Sequence, residues 1–369
     1  MAGFYIKKVI AKSIAKGDAS ITFGKGLTII QGRSDSGKTC VANCIDFIFG
    51  GSVDKPFKDT AKYDGVTMIV VSNDSDEEVI FHRTVGKNQV EVSSGIAGIE
   101  SGTYDVNYRK GAKNPPLNEV WLKLIGIQSE VMIVANARFE TKRLTWRNLL
   151  RVLYLDEGRV DDIGSIVEPK HRYMENTLFL SALLYLITGR TFTEIDAQEK
   201  KEIKKARRKD YFGNDFATTM SEYANSILKE CCYSGLLQAH FNLTTFDIEV
   251  NGEDKGTSHG KGYRSYLNTV MIMMLRKYLA KNAKFDPHIF IIDTPLHGFD
   301  DGVDDRMPDS MRAGLYRYFM NHQDEGQLII IENLDHIPHL DYENHGAVVE
   351  TFEKVEAPGK RYGFLNDVR

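Results

Sequence analysis

The chain has 369 residues, 42% of them hydrophobic and 27% charged, which is enough for one large domain or two moderate ones around a true apolar core. Its formal net charge of −4 argues against a wholly basic nucleic-acid coat but leaves room for a local basic patch. No apolar run reaches membrane-span length, and the N-terminal residues lack an uninterrupted apolar segment with a cleavage site, which points to a cytoplasmic protein with no membrane partner. The four cysteines, Cys40, Cys44, Cys231 and Cys232, form no CxxC pair and have no histidine pair at zinc spacing, so they read as small buried side chains.

In chain order, FYIKKVIA and SITF have strand character, and GLTIIQ reads as a short buried strand. GRSDSGKT follows at once, and VANCIDFIFG then has helical apolar spacing that stops at Gly50 and Gly51. VTMIVVS, EEVIFHRTV and NQVEVSS predict a sheet across 64–110, broken by NDSD and GKN turns. Residues 111–118 form a loop, and 117–189 are mostly helical, through WRNLLRVLYLDEGR and TLFLSALLYLITG. The charged stretch 193–230 predicts a short two-helix excursion with its tip near Phe212–Asn214. FDIEV, HIFIID and QLIIIEN are buried strands alternating with the helices YRSYLNTVMIMMLRKYLA and MRAGLYRYFMNH. That alternation predicts an α/β fold with parallel core strands.

Gly32-Arg33-Ser34-Asp35-Ser36-Gly37-Lys38-Thr39 matches the phosphate-loop pattern GxxxxGK[ST]. Glycines let the backbone turn its N–H groups inward at phosphate oxygens. Lys38 is placed to reach the β- and γ-phosphates, and the Thr39 hydroxyl to ligate Mg2+. The helix starting near Lys38 adds its positive end, so the cradle extends to Cys40. No NKxD base-reading motif is present, which favours ATP over GTP. A second acidic residue must end a neighbouring strand to hold the metal through water, and HIFIID supplies it as Asp293.

The run Asp293-Thr294-Pro295-Leu296-His297-Gly298-Phe299-Asp300 is similar to the DEPTxxLD run of ABC-type ATPases, and the N-terminal GLTIIQGRSDSGKT resembles the opening of SMC, RecF and RecN heads. The resemblance implies an ABC-type P-loop head of two lobes, with a mixed sheet, parallel core strands and a short helical or coiled-coil insertion. Lobe 1–192 would carry the phosphate loop, 193–230 a coiled-coil stub, and 231–369 the second motif set. The separation of 255 positions from Lys38 to Asp293 fits that layout. Ser258-His259-Gly260-Lys261-Gly262-Tyr263-Arg264 stands where the family has its LSGGE signature. The resemblance implies that Ser258, Gly260, Gly262 and Arg264 meet the ATP of a second copy, in a homodimer with nucleotide sandwiched between heads. Asp300 takes the D-loop place, and Glu157, in LYLDEGR, falls where the family has a metal-proximal glutamine. The runs WRNLLRVLYLDEGRV, TLFLSALLYLITGR, GKGYRSYLNT, IIDTPLHGFD, LIIIEN and RYGFL are similar to those flanking a long coiled coil in a group of bacterial ATPases.

One departure matters. The family has a water-orienting glutamate after the metal-binding Asp, where this chain has Thr294. Glu332, at the end of LIIIEN, is the favoured substitute, ahead of Glu157 and Asp300. Lys38, Asp293 and Glu332 are thus the expected catalytic set, with Thr39, Asp293 and Glu157 around Mg2+. A basic run of Lys200, Lys201, Lys204, Lys205, Arg207, Arg208 and Lys209 either tracks a DNA backbone or forms a solvated helix face paired with Glu199 and Glu202. Lys7, Lys8, Lys12 and Lys16 form a second basic group. The expected activity is ATP hydrolysis coupled to dimerisation and duplex DNA binding, in repair or in defence against foreign DNA. The alternative is a regulatory nucleotide sensor that hydrolyses poorly and controls a partner nuclease or toxin.

Overall fold

The computed structural model describes residues 2–51, 56–58, 61–107, 111–168, 175–193, 208–258, 260–299 and 307–366. In chain order the first strands are β1 (Phe4–Lys12), β2 (Ala19–Thr22) and β3 (Leu27–Gly32), followed by helix α1 (Lys38–Ile48). Strands β4 (Gly65–Ser72), β5 (Glu78–Thr84), β6 (Gln89–Ser94) and β7 (Gly102–Asp105) come next. They lead to α2 (Leu117–Leu124), β8 (Met132–Val134), β9 (Thr141–Arg143), α3 (Trp146–Leu153), β10 (Tyr154–Leu155) and α4 (Asn176–Thr188). Next are α5 (Gly213–Glu230), β11 (Ala239–Asn242), β12 (Asp247–Val250), β13 (Glu253–Asp254), the single turn α6 (Lys255–Ser258) and the long α7 (Lys261–Asn282). β14 (Ile289–Asp293), α8 (Asp309–Asn321), β15 (Gln327–Asn333) and β16 (Val348–Phe352) complete the order.

Two compact units result. The first comprises Met1–Gln128, Pro287–Asp293 and Gly326–Arg369, and the second Ser129–Asp286 and Thr294–Glu325. This division differs from the sequence-ordered lobes, because strands from the last third of the chain complete the first unit's parallel sheet.

In the first unit, β14, β15, β3 and β16 lie side by side in that order, all parallel. β14, β15 and β3 are mainly apolar and buried, as expected for strands covered on both faces, whereas β16, at the sheet edge, is half-buried along most of its length. A second, antiparallel sheet has the order β2-β1-β4-β5-β6-β7. Gln327, only 1% exposed, stitches the two sheets together. Its amide donates to the carbonyls of Ile6 (2.8 Å) and Gly24 (2.7 Å), and its oxygen accepts from the Ile6 N–H (2.8 Å). Trp121 stacks on Phe81 at 4.1 Å and meets Phe49 edge-on at 4.9 Å, which closes the core around the C-terminal end of α1.

The second unit is built mainly from helices. α4 is buried on nearly every side and ends at Gly189, whose φ of 68 is a left-handed stop. α5 is a packed helix and not a projecting arm. Phe216, Met220, Ala224, Ile227 and Leu228 are buried, and its polar face pairs with β11. There Asn225 Oδ1 accepts from Ala239 N (2.8 Å) and Ser221 Oγ from Phe241 N (3.0 Å). This corrects the expected excursion for its second arm: apolar residues at helical spacing bury one face, and Ser and Asn satisfy a strand edge with the other. The first arm, 194–207, lies outside the described residues. Among the described residues, no helix is long and apolar enough to cross a membrane.

Candidate functional site

β3 delivers its last residue, Gly32, to the C-terminal edge of the parallel strands, where ligands bind in open α/β sheets. A side chain at Gly32 would be impossible: a Cβ there would sit 2.5 Å from the Phe352 carbonyl oxygen and 2.5 Å from Ser36 Oγ. The loop then turns through Asp35 (φ 61) and Gly37 (φ 83), a left-handed geometry that glycine adopts at no steric cost. Ser36 N donates to Arg33 O at 3.2 Å and Cys40 N to Gly37 O at 3.2 Å. Lys38, 8% exposed, folds its ammonium into the loop, donating to Gly32 O at 2.7 Å and Arg33 O at 2.9 Å. Arg33, Ser34, Asp35 and Thr39 are exposed. α1 has no side-chain cap and no acidic residue in its first turn, so its own sequence sets no carboxylate against its positive end. The Ser36 hydroxyl is fully buried and has no protein partner. The glycine cradle, the uncapped helix start and the inward ammonium together fit a triphosphate.

Register brings the two carboxylates to the same edge. Glu332 on β15 lies opposite Gln31, Asn333 opposite Gly32, and Asp293 on β14 opposite Ile331. β15 therefore separates the Asp293 strand from the phosphate-loop strand, and two strand spacings put β14 roughly 10 Å from β3. Asp293 is 2% exposed. Glu332 is fully buried, and its Oε1 accepts from Asn333 N at 2.6 Å and lies 3.0 Å from His336 Nδ1. The carboxylate thus braces the turn that follows β15. The sequence reading missed His336, whose signal was its spacing of four residues after Glu332. Cys40 is half-buried on the first turn of α1, with its thiol 3.7 Å from Pro56 O.

The opposite end of α1 is also held. Arg83, 1% exposed, donates to Phe47 O at 2.5 Å and Gly51 O at 3.0 Å, and lies over the Phe47 ring at 4.0 Å. It complements the negative end of the helix, and burial pushes its pKa down to about 10. Its only sequence signal was the alternation of β5, which places it on the inward face.

The remaining expected site residues are in the second unit. Glu157 is exposed on the turn after β10. Gly260 is the N-cap residue of α7, which likewise lacks a side-chain cap and an acidic first turn. Gly262 is buried against Phe299, whose ring carbon would lie 2.6 Å from an added Cβ. Arg264 Nε donates to Asp161 O at 3.1 Å, and Lys261 lies 3.7 Å from the Asp161 carboxylate. Ser258 ends α6, and Asp300 lies outside the described residues. A buried pair supports this region. Lys255, 2% exposed, contacts Asp247 at 2.7 Å and Gly164 O at 3.0 Å and also bonds Asn268, whose amide donates to Val160 O and Asp162 O. Burial pulls the Lys255 pKa below its ordinary value against the pull of Asp247.

The basic groups are less available than their sequence suggests. Arg208 is 2% exposed, donates to Phe192 O and lies over the Phe139 and Tyr211 rings. It is an interior residue, which corrects the reading of the run as one solvent-facing strip: the planar cation is satisfied by aromatic faces and a carbonyl. Lys209 pairs with Glu168. Lys200, Lys201, Lys204, Lys205 and Arg207 lie outside the described residues. Lys7 pairs with Glu78 (2.6 Å) and Lys12 with Asp18 (2.5 Å), both at the surface.

The AAA domain family matches residues 11–230, more than half of the chain, and the chain belongs to that family. No curated protein matches it. Similar solved structures include an Smc head domain with an extended coiled coil, derived from Pyrococcus furiosus and bound to the C-terminal domain of ScpA. It is 16% identical with a TM-score of 0.49, covering 95% of this chain and 94% of its own. The SMC head domain from Thermotoga maritima is 11% identical with a TM-score of 0.45, covering 94% of each chain. The recombination mediator RecF bound to ATPrS is 12% identical with a TM-score of 0.40, covering 92% of this chain and 95% of its own.

Proposed function

We propose that this member of the AAA domain family is an SMC-like ATPase that holds ATP-Mg2+ at the C-terminal edge of β3, β15 and β14. Residues 32–40 cradle the phosphates, with Lys38 opposite the β- and γ-phosphates. Thr39 and Asp293 would hold Mg2+, which supplies charge neutralisation on the transferred phosphate. Glu332, on the strand between β14 and β3, is the candidate for orienting water. In the same proposal a second copy presents Ser258, Gly260, Gly262, Arg264 and Asp300 to the bound ATP, and closure of the homodimer is coupled to duplex DNA in repair or in defence against foreign DNA. Glu157 is the further metal-proximal candidate. The observation that carries the ATP reading is that Gly32, Glu332 and Asp293 all fall at the C-terminal ends of three neighbouring parallel strands, beside a helix start without a side-chain cap.

A second reading is favoured by Thr294, which replaces the usual water-orienting carboxylate and adopts a φ of 55. With Glu332 engaged by its own turn, the chain would act as a nucleotide sensor with weak hydrolysis that controls a nuclease or toxin. Mass measurement with and without Mg-ATP tests both readings, on wild type and Lys38→Ala and with duplex DNA at several salt concentrations. ATP should double the mass of wild type and leave Lys38→Ala unchanged. Salt-sensitive DNA binding selects the first reading, and an ATP dimer without DNA binding selects the second. A strict monomer at saturating ATP would sink the sandwich.

A further inference from the structure

The run Arg361-Tyr362-Gly363-Phe364-Leu365 has no part in the site as described so far, yet it folds back on the phosphate loop. Strand β16 ends at Phe352, opposite Gly32 in register. The chain then doubles back on itself: Glu353 N donates to Arg361 O at 2.8 Å and Gly363 N to Glu353 O at 3.0 Å. The returning segment brings Phe364 to the loop, where its N–H nitrogen would lie 3.5 Å from a Cβ on Gly37. The two glycines that shape the loop therefore each face this segment, Gly32 at the Phe352 carbonyl and Gly37 at the Phe364 amide.

Arg361 locks the fold-back. Its guanidinium lies over the rings of Phe352 (4.7 Å) and Phe364 (5.6 Å). It donates to Ser20 O at 2.8 Å, Phe364 O at 3.2 Å and Gly363 O at 3.4 Å, and it pairs with Glu350 at 3.3 Å. A planar cation that stacks on two rings and forks to several carbonyls is a demanding arrangement that lysine cannot reproduce. Phe364 is fully buried, and the Tyr63 hydroxyl donates to Leu365 O at 2.8 Å. At the loop's outer face, Lys354 reaches Asp35 at 3.3 Å.

We infer that residues 353–365 form a strap belonging to the phosphate site, and that Arg361 is a positioning residue that fixes the backbone of Gly32 and Gly37 through Phe352 and Phe364. The inference rests on the reading of 32–39 as an ATP site. A loop that binds by converging amides loses affinity when those amides are free to diverge, even with Lys38 and Asp293 intact. Preorganisation, not contact, is what Arg361 contributes.

The test is titration of a fluorescent ATP analogue with Mg2+ into the full chain. It is combined with amide hydrogen exchange and thermal unfolding, on wild type, Arg361→Gln, Arg361→Lys and Phe364→Leu. Arg361→Gln should weaken binding about tenfold, with Arg361→Lys intermediate. Exchange should rise at residues 33–37 and stay unchanged in β4 and β5, with the unliganded melting midpoint within a few degrees of wild type. Phe364→Leu, which keeps the backbone and removes one stacked ring, should move in the same direction and serves if Arg361→Gln does not fold. Wild-type affinity in the folded variants overturns the inference. So does a loss accompanied by raised exchange throughout the first unit, which would mark Arg361 as merely structural. Failure of wild type itself to bind the analogue overturns the ATP reading and the inference with it.

Discussion

Two helices of this molecule start alike and are held differently. α1 and α7 each follow a glycine, lack a side-chain cap and carry no acid in the first turn. Behind α1 stand a buried strand, the inward Lys38 and the returning C-terminal segment, and its N-cap Gly37 is left-handed at φ 83. Behind α7 stand side-chain ties to residues 160–164, from Lys255, Lys261, Arg264 and Asn268. Its N-cap Gly260 is extended, at φ −63, with open space around it. The helix start is therefore preorganised at α1 by backbone and strand register, and at α7 by a buried ion pair. The first start should be intolerant of any added atom, and the second should fail through its supports.

The sharpest way to break this contrast is to add one methyl group to the segment that leads into each helix. Gly32→Ala forces a Cβ against the Phe352 carbonyl oxygen at 2.5 Å, and should lower stability by about 2 kcal/mol and nucleotide affinity by roughly a hundredfold. Gly260→Ala meets nothing within 4 Å and should change stability by no more than about 0.5 kcal/mol. Denaturant unfolding with ATP-analogue titration measures both, and equal behaviour of the two variants would erase the distinction.

Next in size is Lys255→Met, which leaves the Asp247 carboxylate, 8% exposed, without its cation. Loss of one partner of a buried pair should cost about 3 kcal/mol. The same variant should loosen the start of α7 in hydrogen exchange while leaving the first turn of α1 protected. Unfolding curves matching wild type would show that the ion pair supports nothing.

The smallest effect concerns pH. His322 sits between Glu325 (3.4 Å) and Glu230 (3.1 Å) in the second unit. Its pKa is raised above 6.5, mainly by the hydrogen bond to Glu325 and further by Glu230, with burial opposing. A raised folded pKa means that the pairing stabilises fully below the ordinary histidine value and is lost as pH rises through the higher folded value. Urea unfolding should show a modest loss of stability from pH 6 to pH 8 that His322→Gln flattens. A slope that survives the substitution would assign the dependence to other groups.

The strand-loop-helix over residues 27–48 was legible because its signals are local: an apolar run, glycines at fixed offsets, then helical spacing. The same holds for HIFIID and QLIIIEN, which form β14 and β15. Arg208 misled because a charge run looks solvated until an aromatic face arrives from distant sequence, here Phe139. α5 misled because its flanks are charged while its buried face, Phe216 through Leu228, depends on β11 and α7 for cover.

From its letters alone, this chain fixed the strand-loop-helix over 27–48 and the buried strands β14 and β15, because backbone conformation follows near neighbours, whereas β8, β9 and β10 arise inside a stretch that reads as mostly helical. Only the tertiary structure decided that β15 lies between β14 and β3, so that Glu332 is one strand from the loop and Asp293 two. It alone brought Phe364 beside Gly37, although these residues are more than three hundred positions apart in the chain. Such pairings are set by which buried surfaces and strand edges find each other on folding, and no local pattern records them.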